Sequence, residues 1–308
     1  MVPVTGDVDV ACRSLRRGGL VGLPTETVYG LAADATDAGA IARVFEVKGR
    51  PADHPLILHI ADAGWLAHWV LEIPQAAARL ADAYWPGPMT LLLTRNDRVL
   101  DAVTGGRDTV AVRVPAHPLA AEVLRRFAGP LVAPSANRFG HVSPTTAAHV
   151  LDDLGGRLDP DRDVVLAGGP STIGVESTIV DCTGRSPQVL RHGAITQEQV
   201  AAIAGFVAPS SGPARAPGML ARHYSPRCDV VLTDHRTDAQ RLAAELERAG
   251  RRVDVLDEPD LVIYARTLFA RLRAADRNGI DVVVAVLPPA EGLGHAIRDR
   301  LARASAGR

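Results

Sequence analysis

Residues 37–60 read DAGAIARVFEVKGRPADHPLILHI, and the apolar period changes from helical to extended within that span. Asp37 can cap a helix that sets Ile41, Val44, Phe45 and Val47 on one face. Lys48 and Arg50 close its C-terminus, and Pro51 stops it. LILHI at 56–60 then reads as a buried strand. The alternation continues outward. Upstream, Asp7 caps a helix over 8–17 ending at Gly18-Gly19, and 20–23 is a short apolar strand running into Pro24. Downstream, two helices are expected between 62 and 84. Strands fit 89–94, 109–114, 131–133, 164–167, 177–181 and 188–191, with helices at 117–127, 145–152 and 196–204. Helical crossovers and hairpin-like turns both occur, so an α/β fold is predicted whose sheet is mixed rather than purely parallel.

Composition changes at 208–226, APSSGPARAPGMLARHYSP, which carries neither period and reads as a linker. A compact βα run follows, with strands at 230–232, 253–256 and 282–286 and helices near 236–249, 265–276 and 293–304. This suits a small Rossmann-like domain. The 308 residues therefore divide into 1–207, a linker at 208–226 and a second domain at 227–308.

A formal net charge of −1 argues against holding nucleic acid over the whole surface, though a local basic cleft needs only a few side chains. Cys12, Cys182 and Cys228 form no CxxC pair, which disfavours a zinc knuckle or a disulfide scaffold. No stretch approaches the roughly 20 apolar residues of a membrane span, and no signal peptide is visible. A cytoplasmic location is expected.

GxxxxGK[ST], GxSxG and HExxH are all absent, and EGLGHA at 291–296 is a partial GxG that equally suits a tight turn. Four other strings hold the unusual polar residues. LPTETVYGLAADA (23–35) is either a capped polar loop or a ligand-facing one. VKGRPADHPLILHI (47–60) adds His54 and His59 to Lys48 and Arg50. Each has a bland reading, a compensated helix end or a core histidine, but their convergence suits an anion. APSANRFGHVSPTTAAHV (133–150) offers Ser135 and Asn137 after a strand, and Ser143 could cap a helix with Pro144 at its first position. GGPSTIGVESTIVDCTG (168–184) and VLRHGAI (189–195) contribute Glu176, Ser177, Thr178 and Arg191. Arg113, in a strand pattern, requires a carboxylate or a bound ligand.

With Lys-x-Arg at 48–50 and Ser-x-Asn at 135–137, joined by PTETVYGL, WPGPMTLLL (85–93), VAVRVP (110–115), ESTIVD (176–181) and HYSP (223–226), the chain resembles the two-domain threonylcarbamoyl-AMP synthases of the YrdC-like family. The resemblance runs from about residue 8 to the C-terminus. It implies a YrdC-like twisted, mixed open sheet with a smaller Rossmann-like domain. It also implies a nucleotidyltransferase reaction in which L-threonine, bicarbonate (or CO2) and ATP, with Mg2+, give threonylcarbamoyl-AMP and pyrophosphate. No organic cofactor is implied, and no protein side chain is assigned to a metal. The product would pass to a tRNA threonylcarbamoyl transferase complex; direct tRNA binding is not expected.

Carried onto this sequence, the resemblance makes Lys48, Arg50, Ser135 and Asn137 the catalytic group. ATP would meet Arg50, His54, Thr109, Ser135, Ser143, Arg191 and, from a linker acting as a lid, Tyr224. Threonine would meet Thr27, His59, Arg113 and Ser177. His54 stands where relatives often have Asn, and Ala133 where some carry a hydroxyl, while the second domain is short around 255–265. Two other readings remain open: a carbamoyltransferase module, and a non-enzymatic RNA-binding protein, which 4% aromatic content disfavours.

Overall fold

The computed structural model describes residues 1–209 and 224–306, so residues 210–223 of the expected linker lie outside the described residues. The described chain folds into two parallel-containing sheets. Ten strands form the larger: β1 (Val4–Thr5), β2 (Val21–Leu23), β3 (Gly30–Asp34), β4 (Ile57–His59), β5 (Met89–Thr94), β6 (Thr109–Arg113), β7 (Leu131–Val132), β8 (Val164–Leu166), β9 (Thr178–Asp181) and β10 (Gln188–Arg191). Their order is β1-β8-β2-β3-β7-β4-β6-β5-β9-β10. Pairings of both senses occur, such as β4 parallel to β6 and β5 antiparallel to β6, so the sheet is mixed as expected.

Period-2 patterning divides the sheet's two faces. On β5, Met89, Leu91 and Leu93 join the main core with Ile41, Val44 and Leu58, whereas Leu92 faces Ile57, Ala111, Ile179 and Leu190. Helix α1 (Val8–Arg16) is capped by Asp7 and α2 (Ala38–Lys48) by Asp37, as their sequences predict. A 3-10 turn at Ala63–His68 and α3 (Gln75–Tyr84) occupy the stretch where two helices were expected. The short α4 (Asp101–Thr104) was not expected; α5 (Pro118–Phe127) was.

Two corrections bear on the site. Gly30–Asp34, read within a loop, is a strand antiparallel to β2, with Val21 opposite Ala32. Its GLAAD sequence lacks the β-branched and aromatic residues that mark strands. The polar PTET string is therefore the connection of a β-hairpin. Helix α6 (Ala147–Leu154) starts later than expected and is capped by Thr146, so Ser143 is not its cap. Helix α7 (Gln197–Ala204), opened by a capping box at Thr196 and Gln199, ends the first unit.

In the smaller unit β11 (Asp229–Thr233), β12 (Val253–Leu256) and β13 (Val282–Val286) form a parallel sheet of order β11-β13-β12. Helices α8 (Arg236–Arg248), α9 (Leu261–Arg277) and α10 (Gly294–Ser305) surround it. Helix α9 starts four residues before its expected 265, because Asp260 caps it. Its Leu268 and Phe269 share an apolar cluster with Val28, Val142 and Val175 of the first unit. Arg273 on α9 donates to the carbonyls of Val142 (2.5 Å) and Ser143 (3.2 Å) and pairs with Asp153 at 2.9 Å. Gly174, at φ +84°, lies so close to α9 that a Cβ there would sit 2.5 Å from the Cα of Arg266.

Candidate active site

Backbone hydrogen bonds bring the distant strings to one sheet end. Tyr29 N donates to Pro144 O, and Ala136 N donates to Tyr29 O, which seats the 134–144 loop beside the β2–β3 hairpin. Lys48, the last residue of α2, turns inward because Gly49 adopts the left-handed conformation and caps the helix. Its ammonium donates to the carbonyls of Ser135 (2.5 Å) and Asn137 (2.6 Å). Burial, with the nearby Arg50 charge, holds Lys48 well below the usual lysine range. Lys48 thus shapes the 135–137 turn.

The resulting cleft is lined by Thr27, Arg50, His59, Arg113, Ser135, Ser177, Arg191 and Tyr224, all expected, together with Thr25, Val28, Ala133 and Glu176. Arg50 donates Nη2 to Pro55 O at 2.9 Å, while its buried Nε has no hydrogen-bond partner among the described residues. Burial lowers Arg50 to about 10, and it remains charged at neutral pH. Arg191 points Nε at Ser177 O and Nη2 at Ser177 Oγ, each at 3.0 Å. It too is lowered to about 10 by burial.

Of the two partners open to Arg113, a carboxylate or a bound ligand, the fold supplies a carboxylate. Nη2 lies 2.5 Å from Glu26 Oε1, Nη1 donates to Thr27 Oγ1 at 3.0 Å, and Nε donates to Gly87 O. Burial alone would raise the Glu26 carboxyl, but Arg113 outweighs it and holds it below the usual range. His59 sits beside Arg113 across the β4–β6 register. Its Nδ1 donates to Ile57 O at 3.1 Å, which leaves Nε2 as an acceptor. Burial, then the Arg113 charge, pushes the ring down to about 3, so it is neutral.

Tyr224 resumes the described chain at the cleft. It is buried, with φ +63°, a region rarely held by non-glycine residues, and its ring stacks on Phe269 at 5.3 Å. The next residue, Ser225, donates its N–H to Gly140 O. Ser143 and Asn137 lie behind the cleft wall rather than on it. Ser143 Oγ donates to Glu176 Oε1 at 2.6 Å, and Asn137 Nδ2 donates to the carbonyls of Arg138 and His141. His54 packs on Phe139, with ring centroids 5.4 Å apart, and Thr109 starts β6 opposite Thr94. Neither lines the cleft.

Residues 13–193 match the family model described as "Telomere recombination", and residues 195–306 that described as "Threonylcarbamoyl-AMP synthase, C-terminal domain". The threonylcarbamoyl-AMP synthase of Pyrococcus abyssi is 41% identical over 322 aligned residues, covering 97% of this chain and 94% of the relative. The chain belongs to the threonylcarbamoyl-AMP synthase family. The Bacillus subtilis synthase is 38% identical, covering 97% of this chain and 92% of its own. Among solved structures, the P. abyssi Sua5 synthase complexed with L-threonine superposes with a TM-score of 0.91 at 40% identity, over 99% of this chain and 97% of that one. Sequence reasoning missed Thr25 as a cleft residue and Glu26 as the carboxylate that holds Arg113 from behind the wall. The signal for Glu26 was present in part, since Arg113 required a carboxylate or a bound ligand and PTET contains a glutamate.

Proposed function

We propose that the chain is an L-threonylcarbamoyladenylate synthase, a nucleotidyltransferase joining L-threonine, bicarbonate or CO2 and ATP into threonylcarbamoyl-AMP with release of pyrophosphate. The observation that carries this reading is Arg50: a half-buried guanidinium on the wall of a cleft, whose buried Nε has no partner and which faces no carboxylate at hydrogen-bond distance among the described residues. A cation so placed calls for an anionic ligand.

Thr27, His59, Arg113 and Ser177 would hold threonine, with Arg113 shared between Glu26 and the substrate carboxylate. The neutral His59 Nε2 would accept a hydrogen bond from the amino group and orient it. That nitrogen attacks CO2 and loses a proton to form a carbamate; starting from bicarbonate, one water also leaves. A carbamate oxygen then attacks the α-phosphorus of ATP, and the bond to the bridging oxygen breaks to release pyrophosphate. Arg50 and Arg191 would offset charge on the phosphates, and Lys48 and Asn137, from behind the wall, would hold the turn that presents Ser135 to them. Mg2+ would enter with the ATP, since a hard cation favours phosphate oxygens. Positioning of two substrates supplies much of the rate in such a scheme.

Residues 1–207 would form the catalytic unit and 227–308 the small domain, with 208–226 acting as a lid that Tyr224 anchors. His54, Thr109 and Ser143 would act on ATP from outside the observed cleft wall. The adenylate would be consumed by a tRNA threonylcarbamoyl transferase complex in the cytoplasm. The test is pyrophosphate release with labelled threonine, ATP and bicarbonate. Release that needs all three, with labelled adenylate detected by mass spectrometry, is expected; release that proceeds equally without threonine overturns the reading.

A further inference from the structure

Glu176 is a problem for a site that holds a triphosphate. It lines the cleft, is buried, and stays ionised: burial would raise its carboxyl, but the Arg300 and Arg191 charges hold it below the usual range. An anion there repels phosphate unless something cancels it.

Arg300 meets that carboxylate from the other domain. It lies on α10, fully buried, and donates Nε to Glu176 Oε2 at 2.8 Å. From behind, Nη1 is held by Asp299 at 2.7 Å, and Asp299 is in turn held by Arg303 one turn further along the helix. The same guanidinium lies 5.4 Å from the centroid of the Tyr224 ring, within reach of a cation–π contact. Ser143 grips the second oxygen of Glu176. One side chain of the small domain therefore touches two residues of the cleft wall, Glu176 and Tyr224. Stability alone is a poor account of such a group, because a buried ion pair is commonly no more stabilising than an apolar pair of its size.

We propose that Arg300 is a positioning residue of the nucleotide subsite, neutralising Glu176 and seating Tyr224 so that an anionic nucleotide can enter. The inference rests on the ATP-binding reading above. It makes the small domain a contributor of charge to the site through α10.

The test is calorimetric ATP affinity, alongside the KM for threonine, in R300M, E176Q and the double variant. R300M uncovers the Glu176 charge and is expected to weaken ATP binding about tenfold while moving the threonine KM by less than about threefold. E176Q in the same chain removes that charge, and the double variant is expected to recover ATP binding to within about threefold of the unaltered protein. Simple loss of packing would not be rescued in this way. If R300M does not fold, E176Q alone decides: with the carboxylate of the cleft wall removed, ATP binding is expected to tighten, and weakening overturns the proposal. Unchanged ATP affinity in R300M, or a double variant no better than R300M, overturns it as well. An unaltered protein that binds no ATP instead overturns the functional reading itself.

Discussion

Glu26 meets Arg113 of the cleft wall at 2.5 Å from just behind it, the two residues being 87 apart in the chain. Both side chains are at least nine-tenths buried. Removing one therefore leaves the other as an unmatched buried charge. Arg113→Ala is expected to raise the threonine KM at least tenfold and the ATP KM much less, since Glu26 would then repel the substrate carboxylate. Steady-state kinetics with each substrate varied in turn checks the split; equal effects on both would separate Arg113 from threonine.

Lys48→Ala removes the ammonium that joins two carbonyls and leaves both without their donor. The expected cost is about 3 kcal/mol of stability, with adenylate formation reduced at least tenfold. Lys48→Arg should not restore activity, because a planar fork cannot occupy the place of a compact ammonium. Denaturant unfolding and product formation on the same preparations give both answers.

Gly174 tests the contact between the units. Alanine there would adopt a left-handed conformation and drive its Cβ to 2.5 Å from the Arg266 backbone. A loss of about 3 kcal/mol is expected from strain and overpacking together. Because the clash falls at α9, ATP affinity should drop as well. Thermal unfolding with and without ATP reads the two effects.

Acid should destabilise the protein in two stages. Burial holds His59 at about 3 and His149 at about 4, and also lowers His192, which stacks on His295. A histidine whose folded value is depressed binds fewer protons folded than unfolded, so stability is lost as pH falls below about 6.5. Glu26, Glu176 and Asp299, all lowered in the fold, add their loss below the usual carboxylate range. Stability measured from pH 8 to pH 4 should decline from about pH 6.5 downward. His149→Gln should shallow the first stage; an unchanged profile would remove His149 from this account.

Much of the framework is legible in local patterns. Asp7 and Asp37 announce their helices by capping chemistry, and LILHI or MTLLL announce strands by their apolar runs. Gly30–Asp34 escapes because a strand of Gly, Leu, Ala and Asp is defined by its neighbours β2 and β7 rather than by its own residues. Convergence of Lys48 with Ser135 and Asn137 was suggested by residue type and is met in space by two hydrogen bonds. The sequence leaves the partner of Arg113 open between a carboxylate and a bound ligand, and the fold supplies Glu26. Arg300 was illegible: it sits 124 residues from Glu176 in an ordinary Arg-rich amphipathic helix, and only the packing of the second unit against the first brings it there. Ser143 looked like a cap because Ser-Pro is a common way to begin a helix, yet Thr146 does that work.

Arg273 ties the second unit to the first. It reaches from α9 to the carbonyls of Val142 and Ser143, while the family matches change from one model to the next between residues 193 and 195. A recombinant protein joined at that point with a small domain from a relative would inherit a seam that must be matched in three dimensions. Compatibility of such chimaeras should follow the identity of the few side chains crossing it, and overall similarity of the exchanged halves should count for little.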